Sequence, residues 1–403
     1  MYSGSSLGLL ILASFMKNDF ELEYVDENIS NINFEKDYQL VAISCMTQQS
    51  VRAYQIADEF KKRNVKVIIG GIHPTILPEE AKLHADAVFI GEVENTWEMF
   101  RDDFFKKTIK PFYSNANTVD LTKSPMPLYE LLNSEMYKTV WIQTTRGCPH
   151  NCDFCASSKI FGNKYRRKNT EQIIDEIKKV KSLWKKPILI NFADDNMFVN
   201  RQSSYELLRA LKDLNIRWFA QTDISIADDD NLLELIKESG AYNLFIGFET
   251  LSKEGLKFVD RTNWKQKQLS SYSSSIKKIQ SYGIGIMGAF ITGLDTDTKR
   301  SFKSISNFIM KNHIYVSQIS ILTPFPGTAI RERFIEEDRI LTSDWEKYTT
   351  WDVVYKPKQM TEKELVEGWL ETLKKIYSEK FQIKNAKYFK NIYLKRMKNL
   401  SNI

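Results

Sequence analysis

Short apolar runs alternate with helical patterns along the first 110 residues of the chain. Four runs have the length of buried strands, and each ends at or just before a glycine or polar residue: residues 22–25, 40–44, 65–69 and 87–90. Between them, residues 50–62 and 78–83 place apolar side chains at helical spacing. This alternation is typical of a parallel sheet with helices on both faces. Residues 1–110 are therefore predicted to form a doubly wound α/β domain that binds ligands at its carboxyl strand ends.

Six further strand patterns, most of them separated by helical patterns, follow in the middle of the chain. The strands are predicted at residues 141–147, 188–192, 218–222, 244–248, 286–292 and 318–322. Asn169 with Gln172 resembles a capping box at the start of one helix, and the acidic residues 228–230 suit the start of another. A complete eightfold barrel takes about 250 residues. Residues 141–330 supply six units, which predicts an open, partial (β/α)6 barrel.

The remaining segments complete a division of the chain into domains. The run Ser124-Pro125-Met126-Pro127 breaks any helix within residues 111–140, which are predicted to be a linker. Residues 331–403 are predicted to be a helical region. With 403 residues and 42% hydrophobic content, the chain is long enough for two or three domains with cores of their own.

The formal net charge of +6 is concentrated at the carboxyl end. From Lys374 onward there are nine Lys or Arg and one acid, so the preceding residues carry a slight negative charge. This distribution argues against a nucleic-acid partner. Apolar residues recur at helical spacing among these lysines: Tyr377, Phe381, Tyr388 and Ile392. The pattern predicts an amphipathic basic helix that either packs on the core or contacts a membrane surface or an acidic partner.

The four cysteines include three in one loop, which leaves no disulfide framework and predicts a reducing interior. The apolar run at residues 7–15 is too short to span a bilayer and lacks the basic flank of a signal peptide. A cytoplasmic location is therefore predicted.

The loop cysteines are Cys148, Cys152 and Cys155, with the spacing C-x3-C-x2-C. A cubane iron-sulfur cluster normally takes four thiolates, so three leave one iron open for another ligand. Structural zinc, with His150 or Asp153 as the fourth ligand, is the alternative that these residues permit.

The cysteine spacing, together with the predicted strands, resembles the radical S-adenosylmethionine (SAM) superfamily. The resemblance implies that Cys148, Cys152 and Cys155 bind a 4Fe-4S cluster whose open iron is chelated by SAM. It further implies an external electron donor of the flavodoxin or ferredoxin type. One electron then cleaves SAM to methionine and a 5'-deoxyadenosyl radical.

Polar and glycine residues at the predicted strand ends resemble the SAM contacts of that superfamily. Asp194 and Asp195 match the motif for the SAM amino group, and Glu249 matches the position that contacts ribose or carboxylate groups. The adenine strand and the aromatic residue before the last cysteine supply further predicted contacts: Gly288, Ile291, Gly293 and Phe154. Two alternatives stay open, since the two acids could cap the helix after Asn200 and Phe154 could be a core aromatic.

The strand ends of the first domain resemble the cobalamin-binding domain that precedes many radical SAM domains. Glycines at these turns would let the backbone approach a bulky ligand closely. The resemblance implies possible cobalamin contacts from three turns: Thr47 and Gln48; Gly70, Gly71 and His73; Gly91 and Glu92.

Two departures put cobalamin in doubt. The D-x-H-x-x-G signature, whose histidine ligates cobalt, is absent, and residues 2–9 resemble the loop before the first helix without the expected first strand. That strand is central in a doubly wound sheet. Either the domain is shortened, with cobalamin affinity weakened or lost, or the true start lies upstream.

Much of the chain, from Leu7 to Met360, resembles the cobalamin-dependent branch that includes hopanoid methylases. The resemblance implies C-methylation of an unactivated carbon in a small-molecule or lipid metabolite. Two alternatives remain: cobalamin-independent radical dehydration, rearrangement or cyclisation, and an iron-sulfur electron-transfer or binding protein. RNA methylthiolation is disfavoured, because it would ordinarily bring a second cysteine cluster, which Cys45 alone cannot build.

Overall fold

The amino-terminal domain is built on a four-stranded parallel sheet. The computed structural model describes residues 4–150, 152–260 and 262–400. The strands, in spatial as well as chain order, are β1 (Leu40–Ser44), β2 (Lys66–Gly70), β3 (Ala87–Ile90) and β4 (Phe112–Ser114). The helices of this part are α1 (Leu7–Met16), α2 (Ser50–Lys62), α3 (Ile72–Ile76), α4 (Pro78–Lys82) and α5 (Trp97–Phe105).

Both faces of this sheet are covered, because successive strand residues point to opposite sides. Val67 and Ile69 pack in one apolar cluster with residues of α2 and α4, whereas Ile68 packs in another with residues of α1 and α5. The predicted doubly wound α/β domain is therefore confirmed.

Two details of this domain differ from the sequence prediction. Residues 22–25 form no strand; Tyr24 instead accepts a hydrogen bond from the backbone N–H of Ser6 at 2.8 Å, so side-chain contacts hold the segment. β4 lies within the predicted linker, and Tyr113 draws it onto the sheet by packing against Phe89 and Phe100. The predicted absence of a first strand concerns residues before α1, of which residues 1–3 lie outside the described part of the chain.

The second half is an open barrel, as predicted. Six parallel strands run side by side in the order β5, β8, β9, β10, β11, β12, while a short antiparallel pair, β6 and β7, flanks the cysteine loop. Their bounds are β5 (Thr139–Ile142), β6 (Thr145–Arg146), β7 (Arg166–Arg167), β8 (Leu189–Phe192), β9 (Arg217–Thr222), β10 (Ala241–Glu249), β11 (Gly285–Thr292) and β12 (Val316–Ile321).

Helices cover the outside of the barrel. They are α6 (Ser157–Phe161), α7 (Thr170–Leu183), α8 (Arg201–Lys212), α9 (Asp230–Glu238), α10 (Lys253–Val259), α11 (Trp264–Gln268), α12 (Tyr272–Ser281), α13 (Lys299–Lys311) and α14 (Ala329–Glu336). The predicted caps are present: Gln172 accepts from the backbone N–H of Asn169 at 2.8 Å, and Asp229 accepts from that of Leu232 at 2.9 Å.

The carboxyl-terminal region contributes α15 (Glu362–Ile376) and α16 (Glu379–Leu400). The predicted amphipathic helix is α16, which docks on the barrel through Tyr388. The Tyr388 ring stacks on His313 with 4.0 Å between centroids, and its hydroxyl donates to Gln280 at 2.9 Å. Four lysines of α16 are exposed: Lys380, Lys384, Lys387 and Lys390. In the described part of the chain, no helix has the length and apolar character needed to cross a membrane.

Candidate cluster and cofactor site

The carboxyl strand ends of the first sheet meet the barrel at the cysteine loop. α3, which follows β2, contacts α6, which follows the loop. Gly327 at the barrel mouth lies against Ile76 of α3, since a Cβ built on Gly327 would be 3.0 Å from that side chain. A ligand held at the strand ends of one sheet would therefore face the site at the other.

A buried ion network joins the two sheets. Arg146 lies 2.6 Å from carboxylate oxygens of both Glu92 and Glu94, and Arg166 lies 2.8 Å from Glu92. Arg146 holds the pKa of the Glu94 carboxyl below its usual value, although burial alone would raise it. The Glu92 side chain, which we predicted to contact cobalamin, is thus engaged by two arginines, and sequence reasoning missed both of them. Their only signal was charge beside otherwise apolar strand patterns.

The cysteine loop is shaped by backbone contacts. Gly147 has a φ of +86°, and a Cβ there would lie 2.4 Å from the carbonyl oxygen of Lys164, so glycine is required. Cys148 and Cys152 are half-buried, whereas Cys155 is exposed. Burial raises the pKa of the Cys152 thiol to about 12. A bound metal would remove that proton, because thiolate is the ligand form.

Three thiols in one loop suit a cubane cluster, in which each thiolate binds a different iron. Among residues 4–150, 152–260 and 262–400, no group of three or more His, Cys, Asp or Glu side chains is arranged to hold a metal ion. His150, a possible zinc ligand from sequence, lies 3.8 Å from Asp223. The absence of such a group holds for the three loop thiols as well, so their assignment to a cluster with one open iron rests on the spacing C-x3-C-x2-C.

Asp194 and Asp195 have different surroundings. Asp194 is 1% exposed and accepts hydrogen bonds from the backbone N–H groups of Thr144 and Thr145 at 2.8 and 2.6 Å, and from the Thr144 hydroxyl. Burial raises the pKa of Asp194 to about 6. Asp195 is exposed and accepts from the Ser157 hydroxyl at 2.5 Å. Neither acid caps α8, because Asn200 does so itself.

Asp195 is the acid that faces the cysteines. Burial raises the pKa of the Cys148 thiol, and the Asp195 carboxylate raises it further. An exposed carboxylate close to Cys148 and Cys155 suits an ammonium group, whereas Asp194 holds Thr144 and Thr145, which precede the loop. Both SAM contacts remain predictions.

Glu249, at the carboxyl end of β10, lies in a buried ion pair. Its carboxylate is 2.5 Å from the ammonium of Lys265, which also donates to the carbonyl oxygen of Gly247 at 3.1 Å. Glu249 has a φ of +61°, unusual for a residue with a side chain. Lys265 was not identified from sequence, because a lysine in a polar helix carries no signal of burial.

The β11 residues of the predicted adenine site divide by environment. Ile291 lies in an apolar cluster against which Phe154 packs, so the structure brings these two predicted contacts together. At Gly288 a Cβ would come within 3.1 to 3.2 Å of Phe290, Ile314 and Phe248, which explains the glycine by packing. Gly293 has a φ of +89°, and its backbone N–H donates to Asp297 at 3.0 Å.

The predicted cobalamin turns present backbone rather than side chains. Thr47 is buried in a 3-10 helix, Thr47–Gln49, that also includes Gln48, and Gly70 ends β2. Gly71 has a φ of +102°, and a Cβ there would lie 2.8 Å from the carbonyl oxygen of Cys45. Gly71 is therefore required by the fold itself.

Gly91 has the surroundings expected of a ligand cradle. Its φ is +86°, and a Cβ built on it meets nothing within 4 Å, so the end of β3 opens on free space. Nearby at the end of β2, His73 is fully buried, and its Nδ1 has no hydrogen-bond partner. Open space and an unpaired polar atom at these turns fit a bound corrinoid.

Trp345, in the segment between α14 and α15, packs between the two domains. The Trp345 indole N–H contacts the Glu80 carboxylate at 3.0 Å, and its ring lies 5.3 Å from His73. The His73 Nε2 is also 3.1 Å from Glu80. This segment, together with the ion network, fixes the first sheet against the barrel.

Comparisons with known proteins agree with this geometry. Residues 142–309 match the radical SAM superfamily model, and residues 2–101 match the B12 binding domain model. The bacteriochlorophyllide d C-12(1)-methyltransferase of Chlorobaculum tepidum is 32% identical over 380 residues, which cover 92% of this chain and 82% of that protein. The hopanoid C-2 methylase of Rhodopseudomonas palustris is 26% identical, over 84% of this chain and 65% of that protein.

Among solved structures, the cobalamin-dependent S-adenosylmethionine radical enzyme OxsB, with aqua-cobalamin and S-adenosylmethionine bound, has a similar fold. The TM-score is 0.72 at 14% identity, over 96% of this chain and 68% of that one.

Proposed function

The chain belongs to the radical SAM superfamily, in the branch that carries a cobalamin-binding domain, and we propose that it methylates an unactivated carbon of a large, mainly apolar metabolite. It is a methyltransferase whose cofactors are a 4Fe-4S cluster, SAM and cobalamin. The predicted family, fold class and C-methylation of a metabolite are confirmed.

The observation that carries the proposal is the meeting of the two sets of strand ends at the cysteine loop. The open space beside Gly91 lies at the end of β3, and the next residues, Glu92 and Glu94, bind Arg146 two positions before Cys148. A methyl carrier at the strand ends of the first sheet would therefore lie beside the cluster side of the barrel.

The chain's own residues would hold the bound groups in place. When bound, the cluster supplies an electron to SAM and cobalamin supplies the methyl group. Asp195 is placed to accept the SAM ammonium, and Ile291 with Phe154 offers an apolar wall for adenine. The ion network holds the two faces at a fixed separation, which is what transfer between bound groups requires.

The substrate class is inferred from relatives. Two of them are named for a bacteriochlorophyllide and a hopanoid, which are both large ring systems. A mainly apolar polycyclic metabolite is the substrate class that these names support.

The test uses reconstituted protein, hydroxocobalamin and SAM with a trideuterated methyl group. Anaerobic reaction with an apolar extract of the source cells should give a metabolite that carries the trideuteromethyl group on carbon. Omission of cobalamin should abolish that product but leave 5'-deoxyadenosine formation. Label transfer without cobalamin would contradict the proposal.

Three further features of the setting belong to this proposal. An external reductant of the flavodoxin or ferredoxin type is expected, and exposed Cys155 gives the cluster a surface toward it. The cytoplasm is the proposed location.

The exposed lysines of α16 are proposed to contact anionic membranes. The protein should therefore sediment with anionic vesicles, and the double variant Lys384→Glu with Lys387→Glu should do so less. Equal sedimentation of both proteins would refute that contact.

A further inference from the structure

A buried lysine lies directly behind the cysteine loop. Lys265 is 9% exposed, and its ammonium is 2.5 Å from Glu249 and 3.1 Å from the carbonyl oxygen of Gly247. Burial lowers the pKa of Lys265, but Glu249, Cys152 and Tyr272 together raise it by more, so the ammonium stays charged. The site thus holds one buried cation and one buried anion, whose charges are opposite and equal in size.

The backbone around this pair is shaped to form it. Glu249 has a φ of +61°, and the pairing of β10 with β11 shifts register between Gly247 and Glu249. A Cβ at Gly247 would lie 2.3 Å from the Glu249 carboxylate and 3.1 Å from the Lys265 ammonium. A glycine, a bulge and a strained φ therefore all accommodate one ion pair.

The pair is tied to the cluster loop through the segment between α10 and α11. Cys152 forms an antiparallel bridge with Asp260, and the N–H of Asp153 donates to the carbonyl oxygen of Val259 at 3.3 Å. The Asp260 carboxylate in turn accepts from the backbone N–H of Lys265 at 2.8 Å. The Lys265 charge acts on the Cys152 thiol, where it opposes the effect of burial on the pKa.

We propose that Lys265 is a positioning residue that neutralises Glu249 beside the cluster and thereby sets the reduction potential of the cluster. The potential of an iron-sulfur cluster depends on nearby net charge. An uncompensated carboxylate in a low-dielectric site would make the addition of an electron harder. This role belongs to the cluster and is independent of the substrate that is methylated.

The experiment measures the midpoint potential of the reconstituted cluster by redox titration followed by electron paramagnetic resonance. Lys265→Met leaves the carboxylate unpaired and should lower the reduction equilibrium constant about tenfold, which is 59 mV for one electron. Lys265→Arg keeps the charge and should stay near wild type. Lys267→Met, an exposed change in the same helix, is the matched control and should also stay near wild type.

The double variant Lys265→Met with Glu249→Gln removes both charges. Its potential should return close to the wild-type value, whereas a purely structural role would leave it as low as Lys265→Met. A potential of Lys265→Met equal to wild type, or no recovery in the double variant, would overturn the proposal. If Lys265→Met fails to retain iron, Glu249→Gln alone decides: the proposal requires a raised potential, and an unchanged one refutes it.

Discussion

The barrel and the first sheet each present a face to the cysteine loop, and the two faces are built from different groups of the protein. The barrel face consists of side chains with defined partners, such as Asp194 on three donors and Glu249 on Lys265. On the first sheet, the glycine turns present backbone, with Gly71 packed against Cys45 and Gly91 open, while Glu92 and Glu94 beside them are paired with Arg146. Side-chain charge thus organises the barrel face, whereas backbone shape organises the glycine turns of the first sheet.

This difference predicts which substitutions matter on each face. Loss of one thiolate or one carboxylate on the barrel face should remove a ligand or leave a buried partner unpaired. At the glycine turns of the first sheet, an added side chain should matter most, since these turns present backbone; the paired acids Glu92 and Glu94 are the exception.

The largest effect is expected from Cys148→Ala, Cys152→Ala or Cys155→Ala. Each removes a predicted cluster ligand, so reconstituted protein should lose most of its roughly four irons per chain and all SAM cleavage. Iron analysis and detection of 5'-deoxyadenosine measure both. Cys45→Ala is the control, because Cys45 is buried at the end of β1 outside the loop, and it should retain iron. SAM cleavage by any of the three loop variants would refute the cluster assignment.

The next effect concerns the network between the faces. Arg146→Met leaves two buried carboxylates without this partner, and should reduce the free energy of unfolding by about 3–5 kcal/mol. Urea unfolding of the iron-free protein at pH 7 measures this. Lys36→Met, which breaks an exposed pair with Glu23, should cost less than about 1 kcal/mol. Equal losses in the two variants would show that the network does not join the faces.

The same network predicts that the free energy of unfolding falls at acid pH. Arg146 holds the pKa of Glu94 below the ordinary glutamate value of 4.5, so the stabilisation is complete above that pH. It should be lost as the pH falls through the lowered folded-state pKa. Glu94→Gln should flatten this part of the stability profile, and a profile identical to wild type would contradict the assignment.

A smaller and more specific effect separates the adjacent acids. Asp195→Asn should weaken SAM binding about ten- to a hundredfold, from the loss of about 1.5–3 kcal/mol, with iron content unchanged. Asp194→Asn should instead lower iron retention, because Asp194 holds the two residues that lead into the loop. Equilibrium binding of SAM and iron analysis distinguish them. The opposite assignment of effects would show that Asp194 is the SAM contact.

The smallest effect is expected at Gly91. Gly91→Ala adds a methyl group where a corrinoid would approach, with a backbone cost of about 1–2 kcal/mol from the positive φ. The variant should fold but retain less hydroxocobalamin through gel filtration. Gly71→Ala is a poor probe, since its Cβ would strike the Cys45 backbone. Undiminished retention by Gly91→Ala would place cobalamin elsewhere.

Local pattern was enough to predict the elements on which the site stands. The six barrel strands occur within a few residues of their predicted positions, because each is a short apolar run bounded by polar residues. The capping residues Asn169 and Asp229 act over three residues of sequence. The predicted strand at residues 22–25, Leu-Glu-Tyr-Val, is absent, because a strand also requires a neighbouring strand with which to pair.

The sequence by itself therefore determined the order of the elements, the fold class and the motif of three cysteines in one loop. These depend on periodicity and on spacing within a loop. Only the tertiary structure decided the partners of the charged residues. Arg146 and Glu92 are 54 residues apart, and Asp194 and Thr144 are 50. Ion pairs and hydrogen bonds between such distant segments leave no periodic trace, since any carboxylate could satisfy the same donor until the fold brings one of them within reach.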